Sequence, residues 1–181
     1  YHFGGLRSVI PLGMLEKLDF YPGNFTAEFG RATGGIVDVG IKSLRPEKIG
    51  GYIDVSLIDT GIYLEAPIGD KFAIAAAVRR SYIDAIIKGV VPDSANVNLI
   101  SAPRYYDYQF LASLRPNMNH ELQAFVFGSD DLLKVVIDNP ADISPALRAN
   151  DASTSTSFYR TVLSYRYTPN QHFQNTFKTS A

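Results

Sequence analysis

Residues 50–84, GGYIDVSLIDTGIYLEAPIGDKFAIAAAVRRSYID, change character at every second position. Ile53, Val55 and Leu57 stand against Tyr52, Asp54 and Ser56. Ile62, Leu64, Ala66 and Ile68 alternate with Tyr63 and Glu65. Phe72, Ile74, Ala76 and Val78 are set against Ala73, Ala75, Ala77 and Arg79. A period of two marks a strand with one apolar face, because successive side chains of an extended chain point to opposite sides. The spacing predicts three strands joined by short turns at Asp59-Thr60-Gly61 and Gly69-Asp70-Lys71.

The same period continues down the chain. Tyr106, Tyr108, Phe110, Ala112 and Leu114 alternate with Asp107, Gln109, Ser113 and Arg115. Leu122, Ala124 and Val126 alternate with Glu121 and Gln123, although Phe125 and Phe127 interrupt the polar side. Tyr159, Leu163, Tyr165 and Tyr167 are set against Arg160, Ser164 and Arg166. Phe173 and Phe177 close the series against His172, Gln174 and Lys178. Seven consecutive segments therefore read as strands, most of about eight to twelve residues, long beside globular strands.

After the first hairpin the connections alternate in length. Long ones span 85–103 and 129–156; short ones fall at Pro116-Asn117-Met118-Asn119 and Pro169-Asn170-Gln171. In an up-and-down antiparallel sheet this sorts tight turns to one edge and long loops to the other, as in outer-membrane barrels. A strand of about ten residues tilted about 45° also matches the hydrocarbon layer. Tyr105, Tyr106 and Tyr108 beside a long loop, and Tyr165 and Tyr167 beside a short turn, stand where interfacial aromatic girdles belong. The alternative is a soluble β-sandwich ligand-binding module, in which the tyrosine-rich face would be buried under a second layer.

Composition narrows the classes. The chain has 181 residues, with 17 basic and 18 acidic, so no charge excess points to nucleic acid. It has no cysteine, which excludes disulfides and thiolate metal sites. No apolar run reaches the length of a transmembrane helix. The start, Tyr1-His2-Phe3-Gly4-Gly5, has neither an initiating Met nor the pattern of a secretory leader. The chain is therefore expected to be a fragment that begins inside a fold.

Residues 1–45 differ from the rest. Val9 to Lys17 is a candidate helix of at most two turns, entered at Pro11 and weakened by Gly13. Leu18 to Tyr21 reads as a short strand closed by Pro22-Gly23. Asn24 to Phe29 is a candidate helical turn stopped by Gly30. Gly34-Gly35 allows close approach or positive φ before a strand over Ile36 to Ile41.

The order of these motifs resembles a known family. VIPLGMLEKLDFYPGNFTAEFGRATGGIVDVGIKS, residues 9–43, resembles the end of the plug domain of TonB-dependent outer-membrane receptors. The correspondence runs through Pro11, Tyr21-Pro22-Gly23, Glu28-Phe29-Gly30, Gly34-Gly35 and the exit at Lys42. It departs at Tyr21, where the family commonly has Arg, and at Ile41, where it commonly has Thr. Residues 50–84 are similar to the first three barrel strands, with Ala66-Pro67-Ile68-Gly69 in place of a Gly-Pro-Leu turn. APRYYDYQ (102–109) and GSDD (128–131) are similar to strand four and the exit of strand five.

The resemblance implies an all-β chain. Residues 1–45 would be the C-terminal part of a small α+β plug. Residues 46–181 would be about seven strands of a presumed 22-stranded antiparallel barrel in the outer membrane of a Gram-negative bacterium. It implies energised uptake of a scarce ligand (siderophore, cobalamin, saccharide or peptide), with no enzymatic activity and no cofactor. Partners would be outer-membrane lipid and TonB, the latter through a box upstream of this fragment. Gly23, Gly30, Gly34 and Gly35 would keep the plug's last turn compact against the barrel wall. Loops 85–103 and 129–156 would face the ligand.

Arg79 and Arg80 are adjacent on a strand and cannot form one anion clamp. Arg79 is expected to face the lumen and pair with plug carboxylates, and Arg80 to snorkel at the outer rim. Asp130, Asp131, Asp138, Asp142 and Asp151 lack the spacing of a calcium loop and read as solvated loop charge. His2, His120 and His172 lack metal-ligand spacing. Asn24-Phe25-Thr26 matches a glycosylation acceptor by letters alone. No nucleophile elbow, phosphate loop or positioned carboxylate pair is readable.

Overall fold

The computed structural model describes residues 2, 7–23, 25–27, 29–30, 34–83, 86, 104–135 and 152–181. A 3-10 turn (Leu12–Met14) leads into β1 (Leu15–Tyr21), which pairs antiparallel with β2 (Ile36–Ile41) as a separate sheet. The second sheet holds β3 (Gly50–Val55), β4 (Asp59–Ile68), β5 (Phe72–Ser81), β6 (Arg104–Asn117), β7 (His120–Val135), β8 (Ala152–Asn170) and β9 (Phe173–Ser180). Each strand in it pairs antiparallel with its neighbour in the chain. The chain is thus all-β, and its seven-stranded sheet is open between β3 and β9.

Three local expectations are corrected. The helix over Val9 to Lys17 does not form. Pro11 holds extended backbone (φ −72°, ψ 149°), one 3-10 turn follows, and Leu15 is already paired with Ile41. A two-turn helix without a side-chain cap leaves most of its end groups unbonded, whereas the β2 ladder satisfies them. The helical turn at Asn24 to Phe29 is also absent from its described residues. There the Phe29 N–H donates to the Thr26 carbonyl (3.1 Å), a simple turn; Asn24 and Glu28 lie outside the described residues.

The first turn of the large sheet falls at Ser56-Leu57-Ile58, not at Asp59-Thr60-Gly61, which belong to β4. Ser56 decides it. Its hydroxyl donates to Asp59 Oδ1 (2.6 Å) and accepts from the backbone N–H groups of Ile58 (3.2 Å) and Asp59 (3.1 Å). A hydroxyl that bonds its own backbone two and three residues on favours a turn. The turn at Gly69 falls where expected, on the one described glycine with positive φ (66°).

The later strands are longer than expected: β6, β7 and β8 have 14, 16 and 19 residues. Residues 129–135 are therefore strand rather than loop, paired from Ser129↔Phe158 to Val135↔Ala152. Asp130 and Asp131 sit in β7, not in a connection. Asp84, Asp138, Asp142 and Asp151 lie outside the described residues, as do residues 85, 87–103 and the rest of 136–151, while 152–156 belong to β8.

Register divides the sheet into two unlike faces. One carries four cross-strand rows from β4 to β8: Ile62-Val78-Tyr108-Gly128-Tyr159, Leu64-Ala76-Phe110-Val126-Thr161, Ala66-Ile74-Ala112-Ala124-Leu163 and Ile68-Phe72-Leu114-Leu122-Tyr165. No charged side chain stands in any of them. Four rows span roughly 20 Å along a strand. The next row toward the long connections, Thr60-Arg80-Tyr106-Asp130-Ser157, brings charge back. This apolar face is open, with Tyr106, Tyr108, Tyr159 and Tyr165 between 37% and 73% exposed.

The opposite face is covered by the N-terminal segment. Met14 and Leu44, both fully buried, pack against Tyr63, Ala73, Ala75, Ala77, Leu111 and Phe125. The alanines of β5 leave the room those two side chains occupy. Burying each stabilises docking by about 2 kcal/mol. At Gly13 the segment passes close to the sheet. A Cβ there would lie 2.8 Å from Tyr63 Cε1, so with any larger residue the Tyr63 ring or the segment would have to shift. Its N–H donates to the Tyr52 hydroxyl (3.1 Å).

Candidate functional site

The covered face holds two polar clusters, one toward each end of the strands, and both join the N-terminal segment to the sheet. In the cluster near the long connections, Asp107 Oδ2 accepts from Arg79 Nε (2.9 Å) and lies 2.7 Å from His2 Nε2. Asp107 Oδ1 accepts from Gln109 (2.7 Å). Asp59, fully buried, accepts from the Tyr105 hydroxyl (2.5 Å) and pairs with Arg7 (3.0 Å). Arg7 also pairs with the half-exposed Asp54 (2.7 Å). His2 stacks on Tyr105 with ring centroids 4.2 Å apart, and its Nδ1 lies 2.5 Å from Asp131.

The second cluster grips residues 42–44. Glu121 accepts from the Ser43 hydroxyl (2.5 Å) and pairs with Arg115 (2.5 Å) and Arg166 (3.4 Å). Arg115 Nη1 donates to the Leu44 carbonyl (2.8 Å), and Gln123 to that of Lys42 (3.1 Å). The Lys42 ammonium meets Glu65 at 2.7 Å, and the Tyr63 hydroxyl donates to the same carboxylate (2.6 Å). Each buried carboxylate is matched by cations and hydroxyls, the condition under which charge is tolerated away from water.

Arg79 is on the covered face, on the opposite side of β5 from Arg80. Its carboxylates, Asp107 and more distantly Asp59 (4.0 Å), belong to the sheet itself. Among the described residues, the N-terminal segment offers it the Ser8 carbonyl. Across the contact the segment brings the cations Arg7 and Lys42, and the sheet brings the carboxylates that pair with them. Arg80 is exposed on the apolar side, beside Tyr106 in register. Tyr105, grouped by sequence with a girdle, faces the covered side and is buried.

The glycines of the segment lie apart from both clusters. A Cβ at Gly23, Gly30 or Gly34 would meet nothing within 4 Å. One at Gly35 would lie 3.2 Å from the Tyr21 carbonyl, a contact inside the β1–β2 hairpin rather than with the large sheet. On the same hairpin Lys17 donates to Asp19. That bond holds the Asp19 carboxyl below its usual range and the Lys17 ammonium above its own. Both are exposed to water, so the pair adds little.

Sequence reasoning gave Asp59, Glu65, Asp107 and Glu121 no site role, weighed His2 only as a metal ligand and Lys42 only as the exit of the resembled motif, and did not consider Arg7. A signal was present for the sheet carboxylates: each is a charge at a regular alternate position of a long strand, opposite an apolar face. No comparable signal marks the partners, which stand far away in sequence. Among the described residues no group of three or more His, Cys, Asp or Glu is arranged to hold a metal ion. Comparison with protein-family models, with curated proteins and with solved structures found no match.

Proposed function

We propose that this chain is part of a TonB-dependent receptor of the outer membrane of a Gram-negative bacterium, serving energised uptake of a scarce ligand. In this reading β3–β9 are the first wall strands of a larger barrel, and residues 1–45 end its plug. The observation that carries it is the inverted polarity of the sheet. Four uncharged rows lie open, while the charged face is the one packed against another part of the chain. A soluble sandwich does the opposite, burying its apolar face. Hydrocarbon is the environment that makes an open apolar face and an enclosed polar one favourable together. The four rows run roughly 20 Å along the strands, about 15 Å of height at a tilt of about 45°. The bordering rows, with Tyr106 and Arg80 at one end and His120 and Tyr167 at the other, bring the band to about the height of a barrel's lipid-facing belt.

The covered face then lines the lumen, and its clusters tether the plug. In the family resembled, ligand meets the long loops and plug apex, and TonB pulls the plug to open a path. In such a device the tethers must hold firmly yet part under force. Polar contacts suit that better than a continuous apolar interface, because water re-solvates the separated groups.

The test is made on the native protein in its own cells, by following its sedimentation and its gel mobility with and without boiling. A heat-modifiable band in the outer-membrane fraction, several times larger than 19.9 kDa, is expected. A soluble band near 19.9 kDa would overturn the reading in favour of the β-sandwich module.

A further inference from the structure

We propose that β8 and β9 carry a site for a multiply charged oxyanion, built from Ser164, Arg166, Thr176 and Lys178. Residues 152–181 contain Arg160, Arg166 and Lys178 and no Asp or Glu. Register sets all three cations on the side of the sheet away from the open apolar face: Arg160 opposite Phe127, Arg166 opposite Glu121, and Lys178 opposite Ser164. The N-terminal segment bonds to this face as far as Glu121 and Gln123 of β7. Beyond it, β9 is exposed along its whole length.

Four side chains form a square on that face. Ser164 pairs with Lys178, and Arg166 with Thr176, in neighbouring rows. The hydroxyls therefore occupy one diagonal and the cations the other, with diagonal neighbours about 7–8 Å apart. Two long cationic side chains at that separation can close on one phosphate or carboxylate group, while both hydroxyls donate to its remaining oxygens. The planar guanidinium matches a pair of such oxygens, and the ammonium adds a compact charge. Arg160 stands about 13 Å from Ser164 along β8, toward the long connections, and extends the positive field to that rim.

Among the described residues, nothing nearby neutralises the square. The carboxylates of this face, Asp54, Asp59, Glu65, Asp107, Glu121 and Asp131, all stand in β3 to β7, and each has its own cation or histidine. Glu121 is the closest of them. Ser43 and Arg115 hold it, and its contact with Arg166 is the longest of the three (3.4 Å). The Arg166 Nε–H has no partner among the described residues, so that guanidinium is only partly bonded. Asp19 and Asp38 of the segment are paired with Lys17 on the small hairpin. In the receptor reading this face lines the lumen, and the occupant is the ligand being taken up, an anion bearing phosphate or carboxylate groups. That last step rests on the receptor reading; the oxyanion site itself does not.

The probe is inorganic pyrophosphate, titrated calorimetrically into the full chain in mild detergent at low ionic strength, where exposed charge is least screened. Saturable binding of one equivalent is expected. Lys178→Gln should raise the dissociation constant about tenfold, the order expected for one lost charge-assisted hydrogen bond, and Lys178→Arg should keep it near that of the parent. Lys71→Gln, which removes an equally exposed lysine at a short turn, should leave it unchanged. Both lysines are exposed, so neither change threatens the fold. Absence of saturable binding in the parent chain would overturn the site. So would equal losses in Lys71→Gln and Lys178→Gln, which would mark general charge attraction. Heat-modifiability in cells tests the receptor reading separately. Saturable binding by a protein that runs as a soluble band would keep the site and remove its uptake role. An outer-membrane band without binding would keep the receptor and overturn the anionic ligand.

Discussion

Glu121 and Gly13 concentrate the residue-scale energetics. Glu121 satisfies Ser43, Arg115 and Arg166 at once, with little of its side chain exposed. Glu121→Gln keeps the shape and removes the charge, leaving Arg115 without its only carboxylate among the described residues. A loss of about 3 kcal/mol in denaturant unfolding is expected, because a buried cation without its partner costs more than the pair contributed. Ser43→Ala, which removes one hydroxyl donor, should cost about 1 kcal/mol. If both variants unfold like the parent, the cluster is solvated and does not tether the segment. At Gly13 the argument is steric. Gly13→Ala should cost about 1–3 kcal/mol by overpacking against the Tyr63 ring. In a double-mutant cycle with Tyr63→Ala most of that cost should disappear; strictly additive effects would show that the two do not press on one another. Both residues sit in segments whose letters suggested other roles: Gly13 read as a helix breaker, and Glu121 as the ordinary polar member of an alternating pair.

At the scale of the element, alternation was legible nearly everywhere and boundaries were not. The seven strands of the large sheet follow the apolar period, because one residue of slip would turn a whole strand's apolar set to the wrong face. Their ends depend on partners. β7 and β8 extend well past the expected loop boundary because Ser129 to Val135 pair with Ala152 to Phe158, a ladder seventeen residues away at its closest approach and weakly patterned in sequence. Two positions on the apolar face of one strand make a sharp contrast. Phe110 lies in the second uncharged row and Tyr106 at its border. If the open face meets hydrocarbon, Phe110→Lys should destabilise the folded protein in bilayers by about 2–4 kcal/mol, and Tyr106→Lys by no more than about 1 kcal/mol. Refolding into vesicles across a denaturant series measures both. Equal and negligible effects would mean that this face meets water.

At the scale of the molecule, open edges and an open apolar face meet in one object. β3 and β9 carry unpaired backbone on their outer sides, and four apolar rows lie uncovered between them. The 181-residue chain alone in buffer should therefore aggregate, and mild detergent should suppress this. Light scattering with and without detergent is the check, and a monodisperse chain that melts cooperatively in plain buffer would contradict it. The sequence by itself determined the all-β class, the antiparallel order implied by consecutive strands with short turns, and which residues share a face, since these follow from a period of two along a local stretch. The tertiary structure alone decided which face is covered and by what. It also set Arg7 and Lys42 of the segment against carboxylates of the sheet, and put His2 between two strands more than a hundred residues further on. The physical reason is that periodicity is a property of neighbours in the chain, whereas charge pairing and close packing join residues whose separation in sequence carries no pattern.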